Sequence, residues 1–159
     1  MGGPTPAVEA LQRAGVAHRL HRYEHDPATA SYGEEAATVL DVDPARVLKT
    51  LVVEVDGRLV VAVVPVSGLL DLRALAVVVG GKRAALAGVD AAQRATGYVV
   101  GAISPVGQKR RLPVFVDRSV AGHESVFVSA GRRGLEIELA PGDLVAVTGA
   151  TVAVLARPT

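Results

Sequence analysis

Apolar and polar positions along this chain fall into short runs of changing period. Thr5-Pro6 sets up a helix N-cap with proline in the first turn; Ala7, Val8, Leu11 and Ala14 follow at helical spacing, and Gly15 supplies a stop. VAHRLHRY, residues 16–23, predicts a short strand, after which HDP turns the chain. Ser31-Tyr32-Gly33-Glu34 has the spacing of a capping box and predicts a helix over Glu34–Leu40. Asp43-Pro44 opens another turn or short helix. The strongest local signal is VLKTLVVEVDGRLVVAVVPV, two β-branched runs either side of Asp56-Gly57, which predicts a hairpin. Asp71 caps a helix through Val78 that Gly80-Gly81 ends, and Val89–Thr96 predicts a further helix. YVVGAISP predicts a strand running into a loop, and LPVFVD, SVFVSA, GLEIELA and TVAVLA predict four more strands.

No repeat, low-complexity tract or linker divides the 159 residues, so one domain over 1–159 is expected. Helices alternate irregularly with strands that include an antiparallel hairpin. That pattern predicts an α+β domain: a mixed, largely antiparallel, barrel-like sheet flanked by helices. The chain contains neither GxGxxG nor GxxxxGK[ST], so no nucleotide-cofactor motif is present.

Composition adds three constraints. Half the residues are hydrophobic but only 3% are aromatic, so the core is expected to be aliphatic and β-branched. With no cysteine, disulfides, thiolate metal sites and a protein thiol nucleophile are all excluded, which fits a reducing cytoplasm. MGGPTPAVEALQRAG lacks the basic and apolar regions of a signal peptide, and charges interrupt every long apolar stretch, so neither secretion nor a membrane span is expected. The net charge of +1 hides an asymmetry: residues 1–80 carry a net −3 and residues 81–159 a net +4. Contact with a polyanion is therefore expected to be local, in the second half.

Four places break their local pattern. Lys49 shares a strand face with Val47, Leu51 and Val53, so it either snorkels from a strand end or offers a fixed cation to a pocket. Gly101-Ala-Ile-Ser-Pro105 is either a strand-ending turn or a stiff loop allowing close backbone approach to a ligand. Lys109-Arg110-Arg111 is either a solvated face or a phosphate contact. Ser129, ahead of a basic turn at Arg132-Arg133-Gly134, either lines a pocket or caps the turn. No histidine lies near Ser129 in sequence to make a nucleophile pair. His18 and His21 fall on opposite strand faces, which argues against a metal cluster with His25; His25 is expected to bond within its turn.

Together these places resemble the YbaK/EbsC-type proteins, freestanding relatives of the editing domain of bacterial prolyl-tRNA synthetases. The resemblance is carried by TPAVEALQRAGV, YEHDP, VLKTLVV, LDLRALA, AQRATGYVVGAISPVGQKRRLPVFVD and VSAGRRGLEIELAPGDL, spread over almost the whole chain. It implies a deacylase that removes cysteine from mischarged Cys-tRNA(Pro), needing no cofactor or metal because the substrate's own thiol attacks its ester. It implies catalytic roles for Lys49 and Gly101. It implies a substrate pocket of Tyr23, Ser31, Tyr32, Thr50, Ile103, Ser104, Pro105, Ser129, Ala130 and Glu136, with Lys109, Arg110 and Arg111 on tRNA phosphate. The family often has Asn and Phe at positions 31 and 32 and Asp at 136. These departures leave room for another mischarged substrate such as Ala-tRNA(Pro), and a tRNA-binding module without activity is the rival from another class. The implied partners are aminoacyl-tRNA and, in a ternary complex, prolyl-tRNA synthetase, with neither membrane nor DNA involved.

Overall fold

The computed structural model describes residues 3–29 and 31–158. In chain order it contains α1 (Pro6–Ala14), β1 (Arg19–Arg22), α2 (Tyr32–Val39), a 3-10 turn (Pro44–Arg46), β2 (Leu48–Val55) and β3 (Arg58–Pro65). There follow β4 (Gly68–Leu70), α3 (Leu72–Val79), β5 (Ala84–Leu86), α4 (Val89–Thr96), β6 (Val114–Asp117) and a second 3-10 turn (Arg118–Gly122). β7 (Val126–Arg132), β8 (Leu135–Leu139), α5 (Pro141–Thr148), β9 (Thr151–Ala153) and β10 (Ala156–Pro158) complete it.

The hairpin forms where Asp56-Gly57 predicts it. Asp56 at φ 49° and Gly57 at φ 84° are both left-handed, the twist that matches flanking strands. β2 and β3 pair along their whole length, from Leu48 opposite Pro65 to Val55 opposite Arg58. The five-stranded sheet runs β5-β2-β3-β6-β9, antiparallel on the β2 side of β3 and parallel from β3 to β9. β1-β8-β7 form a separate antiparallel sheet, and β10 pairs with β4. β3 is buried on both faces. Val61 and Val63 join α1, α4, β7 and β8 in one core, while Val60, Ala62 and Val64 join Leu75, Phe115 and Leu155 in a second. A strand buried on both sides reads as the continuous apolar run seen in the sequence.

Three expectations need revision. The sheets do not close into a barrel: among the described residues β5 and β9 are the edges of the main sheet, and the bridge between the two sheets, Val47 to Phe127, lies just ahead of β2. The strand expected over Tyr98–Pro105 does not form. Gly97 ends α4 at φ 79°, the Thr96 hydroxyl accepts from the Tyr98 N–H, and Tyr98 turns inward to donate its phenol to the Val106 carbonyl at 2.7 Å. Residues 97–113 are a packed loop without a ladder, in which Tyr98, Ile103, Val106 and Leu112 join the core while Val99 and Val100 stay exposed. Nor does the Ser31–Glu34 capping box form: Ser31 is the N-cap of α2 but its side chain makes no capping bond.

Candidate functional site

A cleft of about 460 Å³ opens where the main sheet leaves β2 partly uncovered. β5 pairs only with Val53–Val55, and the bridge to β7 is at Val47, just ahead of β2, so among the described residues Leu48–Leu51 is laddered to β3 alone. All of Leu48, Lys49, Thr50, Leu51 and Val52 line the cleft. Successive residues point to opposite sheet faces, so five in a row can line one cavity only if it meets the strand at its edge.

Lys49 is half-buried and forms no ion pair among the described residues. Burial lowers its pKa, while Glu34 on the cleft wall opposes that shift. The Thr50 hydroxyl is buried and meets no hydrogen-bond partner among the described residues. An unmet buried hydroxyl is costly unless a bound group supplies the bond. Gly101 sits at φ 94°, and a Cβ there would collide with the Tyr32 ring. Backbone, ring and cleft therefore meet without an intervening side chain. Tyr32 stacks under the Arg133 guanidinium, whose carbon is 4.8 Å from the ring centroid, and lies 5.2 Å from the His25 ring. Arg133 also donates to the Val100 carbonyl at 3.0 Å, tying the β7–β8 turn to the Gly101 loop.

The opposite wall comes from the small sheet. Ser129 and Glu136 are cross-strand partners in β7 and β8, and Glu136 also faces His21 in β1. Burial pushes the Glu136 carboxyl up to about 8. Tyr23 is raised to about 12, by burial first and then by Glu136 and Glu35. The Ser129 hydroxyl accepts from the Gly131 N–H at 3.0 Å, so it also serves its own turn. Glu35, one residue past Glu34, turns away from the cleft. It accepts from His25 Nδ1 and the Asp26 N–H, both at 2.7 Å, and from the Thr29 hydroxyl at 3.2 Å. Burial works against its ionisation, but those donors win and hold it below the usual carboxylate range. His25 thus bonds to the following helix rather than within its own turn. Among the described residues no group of three His, Asp or Glu side chains converges to hold a metal ion.

The cleft collects Lys49, Gly101, Tyr23, Ser31, Tyr32, Thr50, Ile103, Ser129 and Glu136 from six chain segments. Three of the expected pocket residues, and the three expected phosphate contacts, lie elsewhere. Ser104 is fully buried and holds its own loop, its hydroxyl accepting from the Val106 N–H and its carbonyl from the Gln108 amide. Ala130 is in the core. Pro105 faces a second depression with Arg110, Arg111 and Thr148. Lys109 and Arg110 anchor that region through backbone bonds to the Thr96 and Ala95 carbonyls. The cations that do line the cleft beside Lys49 are Arg132 and Arg133. Their sequence signal was a basic turn; what it lacked was any sign that the turn folds over Tyr32.

Residues 26–147 match the aminoacyl-tRNA editing domain family. The chain belongs to this family. Over 146 residues the editing domain is 35% identical to an Enterococcus faecalis protein named "Putative Cys-tRNA(Pro)/Cys-tRNA(Cys) deacylase EbsC", covering 91% of this chain and 88% of that one. A Moorella thermoacetica proline–tRNA ligase is 32% identical over 103 residues, which is 65% of this chain but 18% of the ligase. Among solved structures, one described as "a putative trans-editing enzyme for prolyl tRNA synthetase" superposes with a TM-score of 0.85 at 26% identity, covering 96% of this chain and 95% of that one. The editing domain has no helix long and apolar enough to cross a membrane among its described residues.

Proposed function

We propose that this editing domain removes the amino acid from mischarged tRNA, with Cys-tRNA(Pro) as its substrate and the substrate's own thiol as nucleophile. The observation that carries this reading is the composition of the cleft. It offers an ammonium, an unmet hydroxyl and a close-approach glycine, but no histidine to activate Ser129 and no cysteine. Such a site can orient an ester and stabilise charge on its carbonyl oxygen while leaving the attack to another group. In the proposed step the cysteine sulfur forms a bond to its own ester carbonyl carbon, and the bond from that carbon to the ribose 3′-oxygen breaks. The thiol proton ends on the freed 3′-hydroxyl, and the amino acid leaves as a cyclic thiolactone. Gly101 lets the backbone approach the terminal ribose, Thr50 hydrogen-bonds the aminoacyl group, and Lys49 supplies positive charge to the carbonyl or to phosphate. Tyr23, Ser31, Tyr32, Ile103, Ser129 and Glu136 shape the side-chain pocket. Lys109 and the two arginines of the second depression, Arg110 and Arg111, are assigned to the acceptor stem beyond the single-stranded end. Selectivity for tRNA(Pro) comes from a complex with prolyl-tRNA synthetase.

A deacylation panel tests this. Cys-tRNA(Pro) should be cleaved faster than Ser- or Ala-tRNA(Pro), since a hydroxyl is a poorer nucleophile and alanine has none. Lys49→Ala should lower the rate by about 10²–10³, the usual cost of losing one group that stabilises an oxyanion. Equal rates for Cys and Ser would rule out thiol attack, and faster cleavage of Ala-tRNA(Pro) would reassign the substrate.

A further inference from the structure

The cleft holds three cations at two depths. Lys49 is half-buried on β2, beside Thr50 and near the Gly101 loop. Arg133 is exposed and Arg132 half-buried in the β7–β8 turn at the rim. Neither arginine pairs with a carboxylate among the described residues. Arg132 donates to the Gly3 carbonyl at 2.8 Å, and Arg133 spends one nitrogen on the Val100 carbonyl. A guanidinium has five N–H donors, so most remain available. The Tyr32 ring and the Val100 carbonyl together hold the Arg133 guanidinium at the rim, and its fork of donors suits a phosphate. The acids on the cleft wall are Glu34 and Glu136, and burial keeps Glu136 largely protonated near neutral pH. The rim is therefore a cationic site with donors to spare.

We propose that Arg132 and Arg133 bind the 5′-phosphate of the substrate's terminal adenosine, which leaves Lys49 to the ester carbonyl. This assignment rests on the deacylase reading. Arg133 bonds to the Val100 carbonyl and sits over Tyr32, both beside Gly101, so a ribose resting against Gly101 has its 5′-phosphate within reach of the arginines while its ester lies toward Thr50 and Lys49. Arg110 and Arg111 line a different depression, with Lys109 next to them in sequence, and this group meets only phosphates further along the strand.

Two probes separate the parts: 3′-cysteinylamino-3′-deoxyadenosine, whose amide resists cleavage, and the same compound bearing a 5′-phosphate. Their affinities are measured by calorimetry on the full chain. For the unaltered protein the phosphate should tighten binding about tenfold, the gain expected of a charge-assisted contact at an exposed rim. That gain should fall to within about twofold in Arg132→Ala/Arg133→Ala, recover in part in Arg133→Lys, and persist in Lys49→Ala and in Lys109→Ala/Arg110→Ala/Arg111→Ala. Comparing the two probes within each variant removes any general loosening of the cleft caused by losing the stack on Tyr32. Equal affinities of the two probes for the unaltered protein would overturn the arginine assignment alone, as would a phosphate gain that vanishes with Lys49 and survives without the arginines. Failure of the unphosphorylated probe to bind at all would overturn the deacylase reading, and the assignment with it.

Discussion

Replacing Gly101 with alanine tests a close contact in the cleft. Two costs add. The backbone at φ 94° is one that a residue with a Cβ resists, at about 1–2 kcal/mol. The new methyl also lands on the Tyr32 ring, with Cδ2 at 2.6 Å and Cζ at 2.9 Å. The ring cannot slide away freely, because Arg133 stacks on it and His25 lies beside it. Overpacking of this kind costs about 1–3 kcal/mol. The sum is about 2–5 kcal/mol, and for a domain of this size each kcal/mol lowers Tm by about 3 °C. A fall of about 6–15 °C in thermal unfolding followed by circular dichroism is expected. In a Tyr32→Ala background the steric part disappears and the backbone part stays, so the two substitutions should couple by about 1–3 kcal/mol. A Gly101→Ala cost below about 0.5 kcal/mol, or the same cost with and without Tyr32, would refute the argument.

Glu136→Gln should remove a pH dependence of stability. The folded carboxyl titrates near 8, well above its unfolded value, so the stability it contributes is complete below about pH 4.5 and is lost as pH rises towards 8. The Tm of the glutamine variant should therefore gain on the parent across pH 5–8, and a constant difference would contradict this. Tyr98→Phe removes the phenol that donates to Val106, leaving a buried carbonyl short of a donor, and should cost about 1–3 kcal/mol by urea unfolding. Because Tyr98 braces the loop carrying Gly101, deacylation should fall as well. Glu35→Gln should destabilise the domain most at neutral pH and least in acid, since its contribution is present above the unfolded carboxylate pKa and disappears as pH falls through the depressed folded value.

Elements bounded by explicit stop chemistry were legible in the sequence. Thr5 caps α1 by accepting from the Val8 N–H, Asp71 caps α3 by accepting from the Ala74 N–H, and Gly15 and Gly80 end their helices in the left-handed region. Asp56-Gly57 fixed the register of the longest strand pair. What misled was an apolar run whose burial has no period. Ala102, Ile103 and Val106 are inside while Val99 and Val100 are outside, because Tyr98 and Gly101 bend the chain between them. α5 was missed because Ala140-Pro141-Gly142-Asp143 reads as a turn, although proline and an acid are what a first helical turn accepts. The unusual residues were visible in the sequence, and most of those named through the family resemblance line one cleft. The pairing of Ser129 with Glu136 and the fold of Arg133 over Tyr32 depend on contacts between distant segments, which local pattern does not encode.

The free edge of β2 gives the cleft a wall made of main chain as much as of side chains. Peptide N–H and C=O groups are the same whatever residue bears them, so a ligand held along Leu48–Leu51 keeps that part of its grip when the side chains there change. Selectivity can then drift at low cost: substitutions along the edge re-tune which amino acid is accepted, while attachment to the scaffold persists.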